Sequence, residues 1–138
     1  MVKAKQKSRY RGAAIVEAAV VFPLIFLLTF GVIEYGWLFL KAQQITNASR
    51  QGARIAIRAD ATGQQVLNAI SVLMTDAGMA GSGYEVIISP ADISSLSVGA
   101  PLEVRITVPC ANIAIINIPL LPKPENLSVA VAMAKEGP

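Results

Sequence analysis

The sequence contains no histidine and only one cysteine, Cys110, in its 138 residues. Histidine is the commonest general base near neutral pH and a common metal ligand. A lone thiol cannot form a disulfide within the chain or a thiolate cluster. Charged residues make up only 15% of the chain, and its carboxylates are spread singly along it. We therefore expect no enzyme, no cofactor and no metal site. The thiol is expected to be buried, and a disulfide between chains is the alternative.

Basic residues are few outside the N-terminus. Five of the twelve Lys and Arg residues lie within residues 1–12, and the remaining seven are outnumbered by nine acidic residues. The formal charge of +3 therefore reflects this leader and not a basic surface. Nucleic-acid-binding domains usually carry a basic face, and no basic, aromatic-rich face follows the leader. No nucleic-acid partner is expected.

The chain does contain one long apolar run. Residues 18–33 are sixteen consecutive uncharged residues, and with Glu34 at the boundary the run extends over 23 residues to Leu40. At about 1.5 Å per residue, a helix of that length spans about 34 Å, against a hydrocarbon layer of roughly 30 Å. We predict a transmembrane helix over residues 13–40. A cleaved secretory signal peptide and a buried core helix are the alternatives, but the run is long for the first and apolar on all sides for the second.

Two features within the run carry further predictions. Pro23 cannot donate a backbone hydrogen bond, so a kink or local loosening is expected there. Tyr35, Trp37 and Phe39 lie at the far end, where they are expected to form an aromatic belt at the membrane interface, with Glu34 among the headgroups.

Beyond the run, the periodicity predicts an amphipathic extension of the helix to residue 59. Its apolar and small residues recur every three or four positions: Ile45, Ala48, Gly52, Ile55 and Ala59. The small residues make a narrow face that another helix could approach closely. Arg50, Arg54 and Arg58 form a separate basic stripe, expected to be solvated or to contact lipid headgroups.

The remaining residues predict one further helix and a small sheet. Thr62 and Gln65 have the spacing of a capping box, for a helix that ends at Gly78. Alternation predicts strands over residues 84–89, 102–108 and 127–134, with Leu102, Val104, Ile106 and Val108 facing one way in the second. Residues 112–118 are a candidate fourth strand. The alternative is that this apolar segment lies outside the sheet and contacts a partner subunit or the membrane surface.

A short motif precedes the apolar run. The basic leader ends at Gly12, and Glu17 would be the fifth residue of a chain that begins at Ala13. This order resembles the class III signal of type IV pilin-like proteins. Three later segments follow in the order seen in TadE-like proteins, the minor pilin-like components of tight-adherence (Tad/Flp) pili: Phe22-Pro23-Leu24, Ile33-Glu34-Tyr35-Gly36 and Ala48-Ser49-Arg50-Gln51-Gly52-Ala53-Arg54. The resemblance covers residues 11–59. Ala18 stands where the major pilins of that system carry Tyr, which suits a minor component.

The resemblance implies a function and a set of partners. Residues 1–12 would be a leader removed by a prepilin peptidase between Gly12 and Ala13, and Glu17 would act in subunit assembly. Further implied partners are an inner-membrane pilus assembly platform and other pilin-like subunits, with membrane lipid around the helix. An interfacial position among lipid headgroups is the alternative for Glu17.

The resemblance also implies a location and a fold. It favours a single-pass protein of the cytoplasmic (inner) membrane with its N-terminus inside and residues 41–138 exported. The charges that flank the run give only a weak bias, with five before it and four soon after it. The expected fold class is α+β and pilin-like, with an antiparallel sheet of three to four strands. A signal-anchored ligand-binding or sensor module is the alternative function.

Overall fold

The computed structural model describes residues 6–116 and 122–137, except for the side chains of residues 6–11. Within these residues the chain forms two helices and three strands: α1 Gln6–Ala56, α2 Gly63–Asp76, β1 Glu85–Ser89, β2 Pro101–Pro109 and β3 Asn126–Ala134. A short 3-10 helix, Cys110–Asn112, follows β2. These elements confirm the predicted α+β class.

α1 is a single helix of 51 residues that contains both the apolar run and its amphipathic extension. It continues through Pro23 without a break. It ends at Ala56 and not at Ala59, and the main-chain oxygens of Ala56 and Arg58 accept hydrogen bonds from the ammonium group of Lys135.

The N-terminal half of α1 stands apart from the rest of the described protein. Its most apolar window of 18 residues has a mean hydropathy of 2.4 and is only 6% buried. Large apolar side chains are exposed along this half, among them Ile15, Val20, Phe22, Leu24, Phe26 and Leu28. A core helix would be covered on most sides, so the core-helix alternative does not fit. This half is long and apolar enough to cross a membrane once.

The C-terminal half of α1 is the central helix of the domain. One stripe of it is buried: Glu34, Leu38, Lys41, Ile45, Ala48, Gly52, Ala53 and Ala56. Val66, Ile70 and Met74 of α2 and the four predicted inward-facing residues of β2 complete the core. A Cβ atom added at Gly52 would lie 2.7 Å from Ile70 Cδ1. The narrow face is therefore occupied by α2 of the same chain.

α2 begins with the predicted capping box. The Thr62 hydroxyl accepts the N–H of Gln65 at 3.4 Å, and Gln65 Oε1 accepts the N–H of Thr62 at 3.0 Å. Gly78 follows the helix with a φ of 68°, a left-handed conformation that glycine adopts without strain.

The sheet is antiparallel, with the order β1-β2-β3. Pro101 at the start of β2 pairs with Ala134, and Pro109 at its end pairs with Asn126. The predicted fourth strand does not form in its described part, residues 112–116; residues 117 and 118 lie outside the described ranges. The N–H groups of Ile113 and Ala114 instead bond to the Cys110 oxygen at 3.2 and 3.0 Å, which closes a turn.

Candidate functional site

The residues predicted for processing and assembly lie close together on the exposed first part of α1. Gly12, Ala13 and Glu17 are all exposed. Because α1 begins at Gln6, the peptide bond between Gly12 and Ala13 lies inside the helix. The four-residue spacing puts Ala13 and Glu17 on one helix face. The basic side chains of the leader lie outside the described part of the chain.

The glycine at position 12 is not required by packing within the described protein. A Cβ atom added there would meet nothing within 4 Å. At Gly52 the added atom would meet both Ile70 and, at 3.4 Å, Val104 Cγ1. The two glycines therefore differ, since Gly52 allows two helices to approach and Gly12 has no such role in this fold.

A second group of polar side chains lies where α1 enters the domain. It includes Glu34, whose side chain was expected among the lipid headgroups. Glu34 is 2% exposed and does not lie at the surface among headgroups. Its Oε2 atom accepts the N–H of Ile116 at 2.9 Å. Its Oε1 atom is buried and has no hydrogen-bond partner among the described residues. Glu34 therefore docks the segment that follows β2 onto the helix.

The aromatic side chains next to Glu34 bind the same part of the chain. Trp37 Nε1 donates a hydrogen bond to the Ile113 oxygen at 2.8 Å, and the Tyr35 hydroxyl donates to the Pro122 oxygen. These two residues of the predicted aromatic belt therefore also make contacts within the protein, and Tyr35 remains 45% exposed. Phe39 remains 67% exposed.

Lys41 extends this junction toward α2. Its side chain is buried, and Nζ donates to the Ala77 oxygen at 2.5 Å while lying 4.6 Å from the centre of the Trp37 ring. Ala77 directly follows α2, so the ammonium group satisfies a carbonyl at the helix terminus, where the helix dipole favours a cation. The first basic residue after the apolar run is thus part of the core of the domain.

The lone cysteine and the basic stripe have the environments expected from the sequence. Cys110 is 0% exposed, which confirms its predicted burial, and desolvation raises the pKa of its thiol. Arg50, Arg54 and Arg58 are exposed, as expected for a solvated stripe. Arg58 forms a surface ion pair with Asp60 at 3.3 Å, of a kind that contributes little to stability.

Comparison with known proteins gives a match at the N-terminal part of the chain. The family model described as TadE-like protein matches residues 12–54. The matched segment begins at Gly12, contains Glu17 and Glu34, and ends within the buried half of α1. Neither the curated proteins nor the solved structures compared with the chain give a match. The family match confirms the resemblance found in the sequence.

Proposed function

We propose that this chain, TadE-like over residues 12–54, is a structural minor pilin-like component, or pseudopilin, needed for assembly or secretion of a Tad/Flp-type type IV pilus. One observation carries the proposal, namely the division of α1 into two halves. The first half is exposed and apolar, and the second is the core helix of an α+β domain. A subunit divided in this way can pack its apolar half against other such helices while α2 and the sheet stay outside the lipid. The role is structural and not enzymatic.

The proposed location is the cytoplasmic (inner) membrane, with a single span. The exposed apolar window supports the span, and the five basic residues of the leader favour a cytoplasmic N-terminus. Residues 41–138, which contain α2 and the sheet, would then be exported.

The proposed processing step is cleavage between Gly12 and Ala13 by a prepilin peptidase. The open space around Gly12 supports this cleavage, because packing within the described fold does not require a glycine at this position. A peptidase that must approach the scissile backbone closely would require one. Cleavage would remove the five leader charges and create an amine at Ala13.

The proposed assembly role of Glu17 follows from that new amine. The two groups share a helix face, so the carboxylate can pair with its own amine or with that of a neighbouring pilin-like subunit. An unpaired charge buried in the membrane costs about 2.5–3.5 kcal/mol on insertion scales, so pairing between chains would fix the axial register of the helices. The other proposed partners are the inner-membrane assembly platform and membrane lipid.

The intact mass of the protein from its native membrane tests this function. We expect a chain that starts at Ala13, and Gly12→Val should block the cut because its side chain crowds the scissile backbone. Ala19→Val is the matched control, since it adds the same branched side chain to an exposed position on the same helix and should leave cleavage unchanged. A chain that keeps Met1 in cells with an active peptidase would contradict the proposal and favour a signal-anchored ligand-binding or sensor module.

A further inference from the structure

The segment after β2 lies beside the part of α1 that is predicted to cross the membrane. We call residues 110–116 the strap. Glu34 and Trp37 bind the strap, and both lie within the predicted span of residues 13–40. At about 1.5 Å per residue, Glu34 is about 9 Å before the end of that span at Leu40. The strap is therefore next to the part of the helix expected in the outer portion of the bilayer.

The outward surface of the strap is apolar. Ile115 is 53% exposed and Ile116 is 37% exposed, whereas Ile113 points inward and is 7% exposed. The sequence has no charged residue between Arg105 and Lys123. Ile33, which directly precedes Glu34, is also exposed. Exposed apolar side chains therefore lie both on the strap and on the stretch of α1 that it contacts through Glu34.

Four backbone N–H groups of the strap are bonded inside the protein. The N–H of Cys110 bonds to the Glu125 oxygen at 2.9 Å, and those of Ile113 and Ala114 bond to the Cys110 oxygen. The N–H of Ile116 bonds to the Glu34 carboxylate. Non-helical backbone is tolerated at membrane depth only where its polar groups are satisfied by protein or water. These four N–H groups meet that condition, and the neighbouring isoleucines point outward.

Glu34 and the strap protect each other from a lipid environment. The carboxylate supplies the acceptor that the Ile116 N–H needs, and the strap helps to cover the carboxylate, which is 2% exposed. A carboxylate left open on this helix face would meet lipid tails or headgroups. The pair therefore allows an acidic residue to lie within the apolar run.

We propose that the strap is a lipid-contacting surface, in which Ile115 and Ile116 enter the outer leaflet while Glu34 and Trp37 hold the backbone against α1. The occupant is the boundary between headgroups and acyl chains, because the surface is uncharged and the strap is bound to the outer part of the predicted membrane helix at Glu34 and Trp37. The inference rests on the membrane span of the proposed function and is independent of any role in a pilus.

Site-specific fluorescence of the full-length protein in nanodiscs with one chain per disc tests this. An environment-sensitive dye is attached to Ile115→Cys, to Leu28→Cys in mid-span, and to Val98→Cys. Wild type is the blank because Cys110 is fully buried. Val98 is the matched control: it is 66% exposed, and Gly99 beside it bonds to Lys135 at the far end of the domain. We expect the emission of the dye at position 115 to be blue-shifted relative to that of the dye at 98. Lipids spin-labelled near the headgroup should quench the dye at 115 at least twofold more than the dye at 98.

A dye at position 115 that is as water-exposed as the dye at 98, while the dye at 28 is quenched by lipids spin-labelled deep in their acyl chains, would overturn the proposal and leave the span intact. A dye at 28 that these deep spin labels do not quench would instead contradict the span on which both proposals rest. Shielding of position 115 that occurs only in discs with two or more chains, without lipid quenching, would assign the surface to a second copy and also overturn the proposal.

Glu34 variants test how the strap is held. Glu34→Ala removes the acceptor for the Ile116 N–H, so lipid quenching at position 115 should fall by more than half. Glu34→Gln keeps an acceptor oxygen at the same place and should retain most of the quenching. Equal quenching in all three proteins would show that Glu34 does not seat the strap.

Discussion

The ammonium group of Lys135 lies 2.6 Å from the main-chain oxygen of Arg58, just beyond the end of α1. It also donates to the Ala56 oxygen at 3.3 Å, and its residue is 5% exposed. The last carbonyls of a helix have no hydrogen-bond donor within the helix and carry a partial negative charge. A lysine at this position supplies both donors and a positive charge. The residue after β3 is thereby fastened to the C-terminal end of the long helix.

Lys135→Met should therefore destabilise the domain. Methionine keeps an apolar stem of similar length but leaves the Ala56 carbonyl without its donor and the Arg58 carbonyl with only the N–H of Ala61, at a cost of about 1–3 kcal/mol. Thermal unfolding followed by circular dichroism in detergent measures the loss. Arg105→Met is the control, because Arg105 pairs with Glu103 at 2.8 Å on the surface, where such pairs contribute about 0–1 kcal/mol. An equal loss in the two variants would refute the buried cap.

Gly52→Ala should destabilise the packing of α1 against α2. The new methyl group would lie 2.7 Å from Cδ1 and 2.9 Å from Cγ1 of Ile70, which is fully buried and cannot move away without repacking. Overpacking of this kind typically costs about 1–3 kcal/mol. Gly63→Ala is the matched control, since its added Cβ meets nothing within 4 Å in the first turn of α2. An unchanged midpoint of thermal unfolding in Gly52→Ala would show that the helices have room to separate.

The proposed export of the domain predicts a labelling pattern. Ser97 is exposed and lies on the domain, so Ser97→Cys should react with a membrane-impermeant maleimide in intact spheroplasts. Ser82→Cys is the matched control, because Ser82 is 4% exposed and should react slowly before and after lysis. The native Cys110 should also remain unlabelled, since it is buried and its thiol pKa is raised. Labelling of Ser97→Cys only after lysis would reverse the proposed orientation.

Glu17→Ala should leave expression, membrane insertion and cleavage largely intact and should lower in vivo cross-linking to other pilin-like subunits severalfold. The reason is the loss of the carboxylate that we propose to pair with the amine at Ala13. Glu17→Gln separates the charge from the size of the side chain and should behave like Glu17→Ala. If cross-linking yield and pilus production stay at wild-type levels, Glu17 lies at the headgroup interface and has no pairing role.

The features that could be predicted from the sequence depend on neighbouring residues. The apolar run, the capping box of Thr62 and Gln65, and the alternation along β2 are local patterns, and the structure confirms each. The three- and four-residue spacing also located Ile45, Ala48 and Gly52 on the buried face of α1.

The junction around Glu34 could not be placed in the same way, because its partners are distant in sequence. Glu34 and Ile116 are 82 positions apart, and Trp37 and Ile113 are 76 apart. The same periodicity does continue backward through Lys41, Leu38 and Glu34, but charged residues are rarely fully buried, which favoured the surface for Glu34. Cleavage at Gly12 and pairing by Glu17 stay predictions, since they involve molecules other than this chain.

The two attachments of the domain to α1, one at Glu34 and Trp37 and one at Ala56, make the second half of the helix and the domain a single stiff arm. Pro23 lies outside this arm, in the half of α1 that the domain does not brace. From Pro23 to Ala56 the helix measures about 50 Å at 1.5 Å per residue. A bend of about 10° at Pro23 would therefore swing the far end of the domain sideways by about 9 Å over that length. A small angular change within the membrane would thus become a large displacement of the outer surface.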